Sequence, residues 1–278
     1  MHEEYLASGF ADVDARPNVE TYTGCLRMLD SLPYYRRCKR QSYDLLRIGP
    51  GSTILDAGCG LGDDVFRMAS LAAPGGSVIG IDTSADMIVL AQSRSRGKNG
   101  ICFCRADAGR MPFSDGSFSR CRIDRTLQHL VDPGNAVREL ARVLEPGGLL
   151  LAYDNDWGSF TLAADDREIT RAVLRSWCDS FPSGAVGRDL RNYFLDAGLE
   201  EIVVRPGVSL VEDFELADRI YDLRQSVRRM AADGTLDDTT GRKWLRELEQ
   251  RSRRGRFFSS LTAYTVLGRK PPAGEQGT

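Results

Sequence analysis

Between residues 53 and 154 the chain alternates short apolar runs with longer stretches whose apolar residues recur at helical spacing, and Gly or Pro marks most boundaries. The short runs STILDA, SVIGID, ICFCRAD, FSRCRI and LLLAYD read as strands. Between them, residues 65–72, the segment SADMIVLAQSRSR with Ser84 as its N-cap, and NAVRELARVL read as helices. This rhythm predicts a mostly parallel sheet with helices on both faces, because crossovers between parallel strands are right-handed and must pack back onto the sheet. A doubly wound α/β fold is the expectation.

The flanks add helices. Residues 1–17 read as a mobile lead-in, and helical segments from Asn18 to Leu46, interrupted at Pro33, form an N-terminal helical cap over 1–48. The main domain is expected over 49–270. After Tyr153 come helical stretches near 165–180 and 187–197, a strand in EEIVVRPG, a charged helical insertion at about 211–260, and a last strand in SLTAYTVLGRK. Residues 271–278 read as a disordered tail.

Composition removes several classes. Hydrophobic residues make up 42% and charged residues 27%, which suits a folded domain and not a disordered chain or a rod. With 39 acidic and 37 basic side chains the net charge is -2, so no overall field draws the molecule to nucleic acid or an anionic membrane. The opening MHEEYLASGF lacks the basic and apolar regions of a secretory signal, and the longest apolar stretch, near Leu149–Ala152, falls far short of the ~20 residues needed to span a bilayer. A cytoplasmic location is expected, with no membrane partner. The seven scattered cysteines fit reduced thiols there; only Cys102 and Cys104 are close, and without a second Cys/His pair no metal site is expected.

The chemistry begins where the first strand ends, in Asp56-Ala57-Gly58-Cys59-Gly60-Leu61-Gly62. Glycines there let a ligand approach the backbone at a helix N-terminus. A dinucleotide fingerprint needs a further glycine where this chain has Asp63, and Asp56 is also a poor neighbour for phosphate. An amine-bearing ligand suits these acids better. Asp82 ends the second strand, where a carboxylate can accept both hydrogen bonds of a ribose diol.

With LDAGCGLGDD, VIGIDTSADMI, CRADAGRMPFSDGSF, LQHLVDP and ELARVLEPGGLLL in order, the chain resembles the class I S-adenosylmethionine-dependent methyltransferases, in the ubiquinone/menaquinone-type or "type 11" small-molecule branch. The resemblance implies a Rossmann-like methyltransferase fold and S-adenosylmethionine as cofactor. It implies Gly58 and Gly60 against the amino-acid part with Asp56 orienting it, Asp82 at the ribose, and Met87, Asp107 and Ala108 around the adenine. Cys59, Thr83, Asp124 and Arg125 join this cofactor set. One departure stands out: the family's Phe-Asp before the fourth strand is here Phe118-Ser119, followed by Arg120, Cys121 and Arg122.

An acceptor should lie beyond the carboxyl ends of the fourth and fifth strands. Candidates for catalysis are His129, the one histidine besides His2, with Asp154 and Tyr22. Candidates for the acceptor pocket are Tyr22, Gln128, Asp156, Trp157 and Phe160, whose aromatic rings suggest an aromatic, alkaloid or isoprenoid secondary metabolite. Oxygen, nitrogen and carbon acceptors all remain open, including methylation of a prenyl alkene that triggers cyclisation. Alternatives are a cyclase or binding protein that keeps the fold, and an RNA methyltransferase resting on Arg224, Arg228, Arg229, Arg251, Arg253, Arg254 and Arg256. The leading helix can exchange between subunits, which would give a homo-oligomer.

Overall fold

The computed structural model describes residues 9–10, 13–15 and 19–274. His2, most of the expected lead-in and residues 275–278 of the expected tail lie outside this range. The strands are β1 (Thr53–Ala57), β2 (Ser77–Asp82), β3 (Ile101–Arg105), β4 (Phe118–Asp124), β5 (Leu144–Leu162), β6 (Glu200–Val211) and β7 (Ser259–Arg269). They form a seven-stranded sheet in the order β3-β2-β1-β4-β5-β7-β6. β1 pairs in parallel with β2 and β4, while β7 runs antiparallel between β5 and β6. The chain winds outward from β1 to β3 and then returns to β4, so β1 and β4 flank the topological switch point, where ligands of such sheets bind.

The helices are α1 (Val19–Ser31), α2 (Pro33–Leu45), α3 (Asp63–Ala72), α4 (Ala85–Ser95), α5 (Pro133–Val143), α6 (Arg167–Asp179), α7 (Val186–Asp196), α8 (Phe214–Tyr221), α9 (Leu223–Ala232) and α10 (Asp238–Arg253). One face of the sheet packs Ile81, Ile123 and Leu150 against Val137 and Leu140 of α5 and Leu190 and Phe194 of α7. On the other, Ile54 and Val78 meet Val65 and Met68 of α3 and Ile88 of α4. Ser84 caps α4, its side chain accepting from the Met87 N–H at 3.1 Å, as the sequence predicts.

A further core is built from aromatics. Trp157 and Phe160 of β5 join Trp177 of α6, Phe181, and Phe214, Tyr221 and Trp244 of α8 and α10. Met28, Leu29 and Leu32 pack on its edge and so anchor α1 to this region. The helical insertion between β6 and β7 is therefore tied to the acceptor side of the fold.

Two expectations need correction. The fifth strand was read as LLLAYD, ending at Asp154, but β5 runs on to Leu162 because β7 continues to pair with it, Asp154 opposite Tyr264 and Asp156 opposite Thr262. Asp154 and Asp156 are consequently 0% and 3% exposed. The lead-in is also not wholly loose. Val13–Ala15 forms a short 3-10 turn, Val13 is buried, and the Asp14 carboxylate accepts from the Ser84 hydroxyl at 2.5 Å and the Ala85 N–H at 2.8 Å. An anion at the N-terminus of α4 satisfies orphan backbone donors and meets the positive end of the helix dipole.

Candidate active site

The turns after β1 and β4 touch. Gly58 has φ +72°, and a Cβ there would lie 2.1 Å from Thr126 Oγ1, so both its backbone angle and the neighbouring turn demand glycine. Gly60, also at positive φ, donates its N–H to Asp82 Oδ2 at 2.9 Å. Asp82 Oδ1 accepts from the Ser84 N–H at 3.0 Å. With one backbone donor on each oxygen, the carboxylate is fixed in orientation and keeps acceptor capacity for a diol. Burial pushes its pKa above the usual value, and the hydrogen bonds oppose this.

These residues open onto a cavity of about 210 Å³. Its lining includes Gly58, Cys59, Gly60, Asp82, Thr83, Met87, Ala106 and Ala108 from β2, α4 and the turns after β1, β2 and β3, Asp124, Arg125, Gln128 and His129 at and after the end of β4, and the apolar side chains of Phe10, Trp157, Trp177, Phe181 and Ile220. The geometry thus brings together most residues singled out from the sequence. Asp107 does not line the cavity: it is exposed, and its carboxylate accepts from the Gly109 N–H at 2.7 Å. Phe160 stands behind the wall, its ring 4.4 Å from that of Tyr221. Tyr22 is fully buried behind Phe10, edge-on at 5.0 Å, and does not reach the cavity surface. Asp156 is held by Arg188 at 2.6 Å.

Behind the glycine turn lies a charge cluster that the sequence did not disclose. Arg122 of β4 is 1% exposed and contacts Asp56 at 2.9 Å, Asp64 at 3.4 Å, and Asp124. Lys39 of α2 reaches Asp64 at 2.8 Å and Asp30 at 3.2 Å, and Arg67 binds Asp30. Arg125 pairs with Asp124 at 2.8 Å and lies over the Tyr35 ring. Asp56 is therefore engaged by a cation of this chain and is not itself at the cavity surface, whereas Lys39, Asp30, Asp64, Asp124 and Arg125 are. Burial pushes the Asp56 carboxyl up to about 6 against the pull of Arg122. For Asp64 burial acts the same way, but Arg122 and Lys39 outweigh it and hold the group below the carboxylate range. Arg122 and Lys39 gave little signal: one falls within a strand run, the other among several basic residues of a helix.

On the acceptor side a hydrogen-bond chain sets the wall. Trp157 Nε1 donates to Gln128 Oε1 at 2.9 Å, and Gln128 Nε2 lies 3.1 Å from His129 Nε2. Trp157 stacks on Phe181 at 5.1 Å and 14°, with Trp177 edge-on to both. Trp177 and Phe181 were missed because helical spacing makes both read as ordinary core. Asp154 lies outside the cavity lining and serves the wall from behind, accepting from the Gln128 N–H at 3.2 Å and the Asn155 N–H at 2.9 Å. Burial pushes its pKa up to about 7.

The Asp154 shift gives a signed pH effect. An acid whose pKa is higher folded than unfolded stabilises the protein at low pH and loses that contribution as pH rises from about 4 to about 7. The stability of Asp154→Asn relative to the parent should therefore improve steadily between pH 5 and pH 8 in urea titrations. A flat difference would show that Asp154 is ionised throughout.

The residues present fit S-adenosylmethionine: an anchored carboxylate for the ribose hydroxyls, apolar Met87, Ala106 and Ala108 for the adenine, and charges of both signs for a zwitterionic amino-acid end. A doubly wound sheet with a crevice at the β1/β4 switch point is a Rossmann-like fold, the fold of structurally similar methyltransferases. A family described as "Methyltransferase domain" matches residues 48–198. An uncharacterised 37.1 kDa protein in transposon TN4556 of Streptomyces fradiae is 34% identical over 272 residues, covering 98% of this chain and 77% of that protein. The ubiquinone/menaquinone biosynthesis C-methyltransferase UbiE of Hahella chejuensis is 31% identical over 156 residues, 55% of this chain and 60% of that enzyme. In structure, the YcgJ protein of Bacillus subtilis superposes with a TM-score of 0.60 at 19% identity, covering 86% of this chain and all of that one. The chain belongs to the methyltransferase-domain family, and it is an S-adenosylmethionine-dependent methyltransferase.

The latch at Asp14 yields a prediction about the cofactor. Phe10 and Val13 line the cavity on the segment that Asp14 ties to α4. Losing a cap of this kind costs about 0.5–2 kcal/mol. Asp14→Ala should therefore release S-adenosylhomocysteine on the order of tenfold faster, since ~1.4 kcal/mol is a factor of ten. Stopped-flow displacement measures this, and an unchanged rate would show that the segment does not gate the site.

Proposed function

We propose that the protein transfers the methyl group of S-adenosylmethionine to a small apolar acceptor bearing an aromatic or isoprenoid surface, as a tailoring enzyme of secondary metabolism. The observation that carries this reading is the lining of one cavity, which joins the glycine turn and charged side chains to the apolar side chains of Phe10, Trp157, Trp177, Phe181 and Ile220. Beside these rings Gln128 bonds both His129 and Trp157, so its amide is engaged within the wall. Gly58, Cys59, Gly60, Asp82, Thr83, Met87 and Ala108 hold the cofactor, which supplies an electrophilic methyl group on sulfur. Lys39, Arg125, Asp64 and Asp124 meet its amino-acid end. The protein's contribution to transfer is placement of the acceptor atom in line with that methyl group.

Carbon methylation of an alkene suits the site particularly well, because the carbocation it leaves is stabilised over the faces of aromatic rings. The name of the UbiE relative, a C-methyltransferase of quinone biosynthesis, is consistent with it. The RNA reading has less support: of its seven arginines, Arg224 is bound by Glu215, Asp218 and Glu249, Arg251 by Glu247 and Asp165, and Arg253 by Glu249. The test is S-adenosylhomocysteine formation across a panel of prenylated aromatics, alkaloids, small acids and RNA. Turnover confined to apolar acceptors supports the proposal. Turnover confined to acids or RNA, or cofactor binding without turnover on any of them, overturns it.

A further inference from the structure

Gln128 lines the cavity, and its amide makes four contacts. Oε1 receives the Trp157 indole N–H at 2.9 Å and the Asn155 side-chain amide at 3.3 Å. Nε2 donates to the Arg125 carbonyl at 3.3 Å and faces His129 Nε2 at 3.1 Å. An indole N–H can only donate, so the atom facing Trp157 must be the amide oxygen, and the atom facing His129 must be the NH2 group. The Arg125 carbonyl, which can only accept, fixes the same orientation independently. His129 Nε2 must then accept, which requires a neutral ring with its proton on Nδ1.

We propose that Gln128 is a positioning residue that locks His129 as the neutral Nδ1–H tautomer, so that His129 serves as wall and does not take a proton from the acceptor. Its ring is set between Phe10 at 5.7 Å and Phe181 at 5.5 Å. An imidazolium would place two donors face to face at Gln128, and turning the amide to relieve this would break the Trp157 and Arg125 contacts together. Nearby carboxylates on β5 do not compensate. Asp154 is occupied by the backbone N–H groups of Gln128 and Asn155, and Asp156 by Arg188. Resting on the methyltransferase reading, the lock narrows the acceptor to a nucleophile that needs no base at this wall, of which an alkene carbon is the clearest case.

Because the chain has two histidines, ¹⁵N-histidine labelling of a His2→Gln protein leaves one imidazole spectrum, that of His129. At neutral pH the expected spectrum shows a protonated Nδ1 and an unprotonated Nε2. A protonated Nε2, in either the neutral or the doubly protonated ring, overturns the proposal. In Gln128→Glu the carboxylate can only accept, so the proton should move to Nε2, by tautomer change or by charging of the ring. If that variant does not fold, Gln128→Met removes both amide groups and should let the Nε2–H tautomer appear. An unchanged His129 spectrum in a folded variant of either kind overturns the assignment of Gln128. These spectra need neither cofactor nor acceptor, so they stand or fall separately from the proposed reaction.

Discussion

An Arg122→Met protein is expected to lose about 3–5 kcal/mol of folding stability at neutral pH, the usual cost of removing one partner from a buried ion pair. Arg122 is 1% exposed and is shared by Asp56, Asp64 and Asp124; its loss strands the buried Asp56 carboxylate, leaving Asp64 to Lys39 and Arg67 and Asp124 to Arg125. Methionine fills similar volume without restoring charge. The loss should shrink in acid. Without the cation the burial of Asp56 is opposed by no partner of its own, and an acid with a raised folded pKa stabilises below the unfolded pKa and ceases to as pH rises through the folded one. In the parent the signs are mixed, since Asp56 is raised to about 6 while Asp64 is lowered, so part of the cluster favours acid and part favours neutral pH. Urea midpoints of parent and variant at pH 5 and pH 8 measure both effects. A loss below about 1 kcal/mol, the range of exposed ion pairs, would mean that water relaxes into the cluster.

Asp82→Ala should weaken binding of S-adenosylmethionine and S-adenosylhomocysteine on the order of 100-fold. Hydrogen bonds to a charged group are worth about 1.5–3 kcal/mol each, and the proposed ribose diol would place two on this carboxylate. The substitution also frees the Gly60 and Ser84 N–H groups, so some of the loss reflects a looser glycine turn. Asp82→Asn separates the two: it keeps one acceptor oxygen and should fall between parent and alanine. Calorimetric titration of the three proteins with both ligands decides it. Equal affinities in all three would detach Asp82 from the cofactor, and the glycine turn would need another ligand.

Much of the glycine-turn lining of the cavity was legible because it is local. Gly58, Gly60 and Asp82 lie at or just after strand ends at fixed distances, and the register of β1 against β2 brings those strand ends side by side. The aromatic lining was legible only in part. Trp157 was found from its place after a strand, but Trp177 comes from a helix, and Phe181 from the turn that follows it, whose docking no local pattern reveals. Asp154 was read as a candidate base and is instead a buried acceptor for backbone N–H groups, because antiparallel β7 draws residues 153–157 into the sheet. The N-terminal segment looked featureless in sequence, yet Asp14 docks on α4, a helix some 70 positions further along the chain.

The sequence by itself determined the order of strands and helices, the Ser84 cap and the glycine turn, since each rests on spacing within a few residues and on the backbone freedom of glycine. It also carried the ordered motifs of the methyltransferase family. Only the tertiary structure decided which charges meet. Asp56, Asp64 and Asp124 come from different elements and converge on Arg122, a residue that sequence alone leaves as one polar position in a strand. Only packing set Trp157, Gln128 and His129 in one hydrogen-bond chain. Local steric rules act over a few residues, whereas burial and hydrogen-bond satisfaction act on whatever the folded chain brings together.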